Sequence, residues 1–288
     1  MVFRLLFALT TMLAATMAAG AGQADAGEIG APKRVVSMNA CTDQMAMLIA
    51  GEGQLHSVSH LAGDPETSVL AAEAKRYVVN HGLAEEVFLM QPDLVIAGTY
   101  STRATVGLLR RLGIPVEEFE PENSFEDIRA NLARMGRILG RTDRADELIA
   151  DLDRRLAGLK GNPRPDLTVA TYYANSYTSG AGTLVDAIIS ASGLVNLAAS
   201  LGFSGTARLP LELLILAKPD MLVDGGTHDS APALAYENLA HPAYRMLAGQ
   251  SVSVVVPAPY TLCGAPFTAE ASRLLRDAAS AVDEGPGK

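Results

Sequence analysis

From Arg34 onward, short apolar runs alternate with stretches whose apolar residues recur at helical spacing. Arg34–Met38, Leu55–Ser59, Leu94–Ala97 and Ile114–Phe119 read as strands. Thr42–Ala50 and Thr102–Leu112 read as helices, the second with Leu108, Leu109 and Leu112 on one face and Gly113 as its stop. Strands alternating with helices predict parallel strands joined by crossover helices. The middle of the chain differs. Ser124 can cap a helix over Phe125–Leu139, Gly140 interrupts it, and Thr142 can cap a second helix over Asp143–Leu159. That second helix has an apolar side (Ile149, Leu152, Leu156) and a charged remainder (Arg144, Asp146, Asp151, Asp153, Arg154, Arg155). It suits a bridge between two lobes, or a surface helix of one domain. The alternation then restarts: Leu167–Tyr173, Met221–Val223 and Val252–Val256 as strands, Thr183–Ser192 and Ala269–Ala281 as helices.

The second half repeats part of the first. Glu85-Glu-Val-Phe-Leu-Met-Gln-Pro-Asp93-Leu-Val-Ile aligns with Glu212-Leu-Leu-Ile-Leu-Ala-Lys-Pro-Asp220-Met-Leu-Val. The glutamates, the prolines and the aspartates are each 127 residues apart. Each segment is an acidic residue, an apolar helix turn, Pro-Asp, then a buried strand. The expected architecture is α/β: two lobes with mostly parallel central sheets, joined by a single long α-helix, with a ligand cleft between the lobes. The boundaries expected are a signal peptide over 1–26, a first lobe over 27–141, a connecting helix over 142–160 and a second lobe over 161–288.

Composition narrows the function. The 288 residues are 49% hydrophobic and 19% charged, enough for large cores. A net charge of -9 with no basic cluster argues against a nucleic-acid partner. Trp is absent, so aromatic ligand contacts must come from Tyr or Phe. Arg4 followed by the uncharged run Leu5–Ala19 reads as a secretory leader, too short to favour a membrane span. Ala19-Gly20-Ala21 and Ala24-Asp25-Ala26 both fit a cleavage site, and cleavage after Ala26 is expected. No Cys precedes Cys41, which argues against a lipid anchor. The mature protein is expected to be periplasmic and soluble.

Ligands approach parallel α/β lobes at the carboxyl ends of the strands. In the first half those positions hold Asn39, Cys41, Thr42, Asp43, His60, Tyr100 and Arg103. In the second they hold Tyr172, Tyr173, Tyr177, the Thr178–Thr183 loop, His228, Tyr260 and Cys263. Tyrosines combine a flat apolar face with a polar tip, and Arg103 can pair with a carboxylate. His60 and His228 can meet as metal ligands, but the five His form no HxH or HExxH cluster, and no metal site is expected. Cys41 and Cys263 leave three readings open: a disulfide clamping the lobes, two free thiols, or a direct role with a ligand. Cys41 as a nucleophile would need a His base, and no G-x-S-x-G elbow is present, so catalysis is the rival reading and not the favoured one.

Arg34-Val-Val-Ser-Met38, Gln91-Pro-Asp-Leu-Val-Ile96, Leu112-Gly-Ile-Pro-Val116 and Thr178-Ser-Gly180 carry a resemblance. The chain resembles the periplasmic binding proteins that serve ferric-siderophore, haem and cobalamin ABC importers. The resemblance implies two α/β lobes on one long helix with the ligand in the cleft. It implies a monomer with no cofactor, which delivers its ligand to a membrane permease and, through it, an ATPase. The ligand implied is a bulky metal chelate: a ferric siderophore first, cobalamin second, haem third. Candidate ligand contacts are then Asn39, Cys41, Tyr100, Arg103, Tyr172, Tyr173, Tyr177 and Tyr260. Glu85 and Glu212 would dock onto permease arginines, one per lobe, through bidentate pairs. Each Glu can also simply favour its own helix N-terminus. The family pattern does not require the two cysteines.

Overall fold

The computed structural model describes residues 30–101, 103–161, 163–224 and 234–282. The expected leader, Thr102 and His228 lie outside the described residues. The first lobe runs β1 (Val35–Ser37), α1 (Ala40–Ile49), β2 (Leu55–Ser59), α2 (Ala71–Ala74), β3 (Val78–Asn80), α3 (Ala84–Leu89), β4 (Leu94–Gly98), α4 (Arg103–Arg111), β5 (Val116–Phe119). Two long helices follow, α5 (Phe125–Ile138) and α6 (Thr142–Gly158). The second lobe runs β6 (Thr168–Thr171), β7 (Tyr177–Ser179), α7 (Leu184–Ala191), β8 (Val195–Asn196), α8 (Leu197–Ser200), β9 (Thr206–Arg208), α9 (Leu211–Ala217), β10 (Met221–Asp224). It closes with α10 (Glu237–Ala240), α11 (Pro242–Ala248), β11 (Val252–Val255), α12 (Pro259–Leu262) and α13 (Thr268–Val282).

The first sheet is parallel throughout, in the order β3-β2-β1-β4-β5, and the second is parallel in the order β11-β10-β6-β8. β7 and β9 form a separate antiparallel pair. The central strands are buried on both faces, which is why they read as continuous apolar runs: Leu94, Val95, Ile96 and Ala97 are all inside.

The Pro-Asp repeat has the same job in each lobe. Asp93 accepts hydrogen bonds from the backbone N–H of Lys33 (2.6 Å) and Arg34 (2.9 Å), just ahead of β1. Asp220 accepts from Thr168 N–H (2.7 Å) and Thr168 Oγ1 (2.8 Å), at the start of β6. Two residues before each aspartate the backbone turns left-handed, at Gln91 (φ 52°) and Lys218 (φ 46°). That turn, ahead of the proline, ends the helix and aims the chain into the sheet.

Ser124 caps α5, accepting from Asp127 N–H at 3.0 Å. Thr142 does not cap α6 as expected; it is the first helical residue, with Arg141 before it and no side-chain cap. The reason is the tightness of the reversal. Gly140 sits at φ 64° and Arg141 N–H donates to Gly136 O at 2.7 Å, so α6 begins at once. The two helices then run so close that a Cβ on Gly136 would lie 2.5 Å from Ala145 Cβ.

The chain passes from one sheet to the other through α6. Its buried residues Leu148 and Leu152 belong to the same apolar core as Ile128 and Leu132 of α5, Ile188 of α7 and Leu275 of α13. α6 is therefore docked along one side as well as joining two sheets, and only its charged face is wet. At its far end Arg276 of α13 donates to the carbonyls of Leu159 and Gly161, and a cation there suits the negative end of a helix.

Overpacking the α5/α6 contact should be costly. Gly136→Val is expected to destabilise the protein by about 2 kcal/mol or more, seen as a lower midpoint in urea with an unchanged slope.

A candidate ligand cavity in the second lobe and its covalent tie to the first

In a doubly wound parallel sheet the crevice opens where the strand order reverses, at the carboxyl ends of the two strands that flank the reversal. Here those pairs are β1/β4 and β6/β10.

At the first reversal the sequence-expected residues are used structurally. Asn39 caps α1; its side-chain oxygen accepts from Cys41 N–H (3.0 Å) and Thr42 N–H (3.4 Å). Its amide lies against Gly98 at the end of β4, where an added Cβ would sit 3.1 Å from it. Tyr100 is 86% exposed, and Arg103 is exposed at the start of α4. Beneath α1 lies a buried polar layer. Asp43 accepts from Ser59 N–H (3.1 Å) and Ser59 Oγ (2.5 Å), while its second oxygen, Oδ1, has no hydrogen-bond partner. Asn80 donates to Ser37 O and Ser57 Oγ, each at 2.8 Å. Burial pushes the Asp43 carboxyl up to about 6, against the opposing pull of its serine hydrogen bonds.

At the second reversal there is a cavity of about 420 Å³. Tyr172 and Tyr173 enter from the end of β6, Val223 from β10, Ile188 and Ile189 from α7, and Thr261 and Leu262 from α12. Tyr236 and Tyr244 complete an aromatic wall. Tyr172 stacks on Tyr244 (5.4 Å between centroids) and donates to Ser176 Oγ at 2.8 Å. Burial lifts the Tyr173 phenol above its ordinary range, opposed by hydrogen bonds with Ser179 and Thr171, so it stays protonated at neutral pH. Among the described residues, no charged side chain lines this cavity.

Of the eight expected ligand contacts, Tyr172 and Tyr173 line the cavity. Tyr177 lies in β7, its ring under the Arg208 guanidinium at 5.4 Å. Tyr260 faces Phe267 (6.3 Å), and its neighbours Thr261 and Leu262 line the cavity instead. Asn39, Tyr100 and Arg103 are not in the lining. The expected Thr178-Ser-Gly180 turn is strand β7, followed by Gly180 pressed against the Phe203 carbonyl, where no Cβ fits. Sequence reasoning missed Tyr236 and Tyr244. Their signal was the helical spacing of Tyr236, Leu239, Tyr244 and Leu247, apolar positions with no strand before them.

Cys41 and Cys263 are joined in a disulfide, with their Cα atoms 5.0 Å apart. This corrects the free-thiol reading and removes Cys41 as a nucleophile, because its sulfur is already bonded. The bond ties the first turn of α1 to the end of α12, closing 222 residues, a closure worth on the order of 5 kcal/mol in the chain-entropy account. Beside it, Glu122 of the first lobe is 8% exposed and accepts from Gly264 N–H (3.3 Å) and Asn131 Nδ2 (2.7 Å). Burial raises the Glu122 carboxyl.

His60 stacks on His81 (5.3 Å), whose ring nitrogen meets Glu86 at 3.2 Å. Among the described residues no group of three or more His, Cys, Asp or Glu is placed to hold a metal ion. Glu85 and Glu212 stand exposed in the first turns of α3 and α9. One turn further on, Leu89 and Leu216, also 127 residues apart, are 78% and 76% exposed.

Residues 35–255 match the model of the periplasmic binding protein family, and the chain belongs to that family. A cobalamin-binding protein of Halobacterium salinarum (strain R1) is 29% identical over 215 residues, 71% of this chain and 57% of that relative's length. The periplasmic haem-binding protein HutB of Vibrio cholerae superposes with a TM-score of 0.69 at 17% identity, over 85% of this chain and 97% of its own. The vitamin B12-binding protein BtuF of the same species does so with a TM-score of 0.64 at 17% identity, over 88% and 98%. At these identities the structural likenesses establish the two-lobe fold.

Asp43 makes a pH prediction. Its folded carboxyl, at about 6, lies above the ordinary 3.8, so its contribution is fully present below pH 4 and is lost as pH rises through 6. Relative to Asp43→Asn, the wild type should lose on the order of 3 kcal/mol between pH 4 and pH 7. Asp151, Asp166 and Glu270, held below the usual range by arginines, act in the opposite direction. They cancel in the comparison. Denaturant midpoints of both proteins across that range check it.

Proposed function

We propose that this protein is the solute-binding component of an ABC importer, acting as a monomer outside the cytoplasmic membrane and with no catalytic role. Its ligand is a bulky metal chelate, and a corrinoid of the cobalamin type fits best. The observation that carries this reading is the cavity at the β6/β10 reversal, walled by tyrosines and aliphatic side chains with no charge among its described lining residues. A neutral ligand with a broad apolar face suits such a wall. An anionic ferric siderophore would call for a cation, and Arg103 stands elsewhere. The Halobacterium salinarum relative, named as cobalamin-binding, supports the same choice. Haem is the second reading, favoured by the four cavity tyrosines, since a phenolate can ligate ferric haem.

Docking to the permease is assigned to Glu85 and Glu212. Both are exposed at helix starts at equivalent places in the two lobes, and neither has an intramolecular partner among the described residues. The adjacent Leu89 and Leu216 add an apolar contact at each docking point.

An absorbance titration with cyanocobalamin, a ferric hydroxamate and haem tests the ligand. One-to-one saturation by cyanocobalamin is expected, weakened about ten-fold or more by Tyr172→Ala; saturation by the ferric hydroxamate alone would overturn the assignment. The double change Glu85→Ala, Glu212→Ala is expected to abolish uptake while ligand affinity stays within about two-fold. An equal loss of affinity would return the two acids to the fold or the cavity.

A further inference from the structure

We propose that the Cys41–Cys263 disulfide is a positioning element of the ligand cavity: it holds the Thr261–Leu262 wall of the second lobe in place from the first lobe. The inference rests on the reading of that cavity as the ligand site.

The wall cannot hold itself. α12 is four residues long, Pro259–Leu262, too short to persist as an isolated helix. Its first residue is a proline, and it ends at Cys263 in extended conformation (φ -129°, ψ 133°). Two of its residues, Thr261 and Leu262, line the cavity. The residues on its C-terminal side fix this turn. Cys263 is bonded to Cys41 in the first turn of α1, and Cys41 Sγ also approaches the Leu262 carbonyl at 3.7 Å. Gly264 lies flush against the first lobe, where an added Cβ would be 2.5 Å from Glu122 Cβ and 2.6 Å from Ile128 Cγ1. On the other side Thr268 Oγ1 donates to Cys263 O (3.2 Å) and accepts from Ala265 N–H (3.1 Å), linking the turn to α13.

The disulfide is the only covalent member of this set. The polar bond that reaches the first lobe beside it, from Gly264 N–H to Glu122, is long at 3.3 Å. Cleaving the disulfide leaves Thr261 and Leu262 anchored to the first lobe by that bond and by packing. A dithiol reductant supplies two electrons and two protons to the bond, giving two cysteine thiols while the dithiol becomes a disulfide. A cavity wall that must be ordered before it can bind loses affinity when the tie is cut. Cys41 and Cys263 are thus positioning residues that need not touch the ligand.

Amide hydrogen exchange in the full-length oxidised protein, in the same protein treated with dithiothreitol, and in Cys41→Ala/Cys263→Ala tests this. Exchange over residues 259–264 is expected to quicken about ten-fold or more while α5 and α7 keep their protection. Affinity for cyanocobalamin is expected to fall about ten-fold and to return on reoxidation of the reduced wild type. Unchanged exchange at 259–264 would overturn the proposal. A uniform rise across the molecule would also overturn it, because it would make the bond a general stabiliser. Should the double variant not fold, dithiothreitol on the folded wild type makes the same comparison. Failure of cyanocobalamin to bind the oxidised protein would count against the ligand assignment, while the exchange data would still decide whether the bond positions the wall.

Discussion

Each lobe depends on one alignment: its first strand must lie in register beside a strand that returns more than 50 residues later. Parallel strands have no tight turn to set that register, because their connections run outside the sheet. A carboxylate sets it here. Asp93 gathers the N–H groups ahead of β1 into the loop that feeds β4, and Asp220 does the same between β6 and β10. The strands so joined are the ones at which each sheet reverses its order. The crevice at each reversal, including the tyrosine-walled cavity, therefore inherits its geometry from these two residues.

The two lobes share more than a connecting helix. Leu152 of α6 and Leu275 of α13 sit in one apolar core with residues of both sheets. The last helix returns to cap the carbonyls at the end of α6. At the opposite side of the chain's path, Gln54 donates to the carbonyls of Pro32 and Leu139, each at 2.8 Å, binding the entry to the first lobe to the end of α5. The result is a structure in which the bridge is braced at both ends.

Much of this was legible in the sequence. β4 showed as an apolar run because both its faces are covered. β3 did not: Val78 and Val79 are exposed on an edge strand, and the run is too short to stand out from Lys75, Arg76 and Tyr77 before it. β7 was read as a turn because its partner β9 lies 27 to 31 residues away, and pairing at that distance leaves no local mark. In the site, Tyr172 and Tyr173 followed from the strand-end rule. Tyr236 and Tyr244 come from helical segments that the rule does not cover. Asn39 was placed correctly at a strand end, but its side chain is spent on capping α1. The cysteine pairing could not be decided from residues 222 apart, because it depends on how two lobes meet.

That separation has a consequence for assembly. With only two cysteines in the chain there is a single intramolecular pairing, so no wrong partner exists for a shuffling enzyme to correct. Cys41 is made 222 residues ahead of its partner. Until residue 263 has been made, Cys41 keeps a bare thiol at α1, so the bond marks chemically the chains whose second lobe has been built as far as α12.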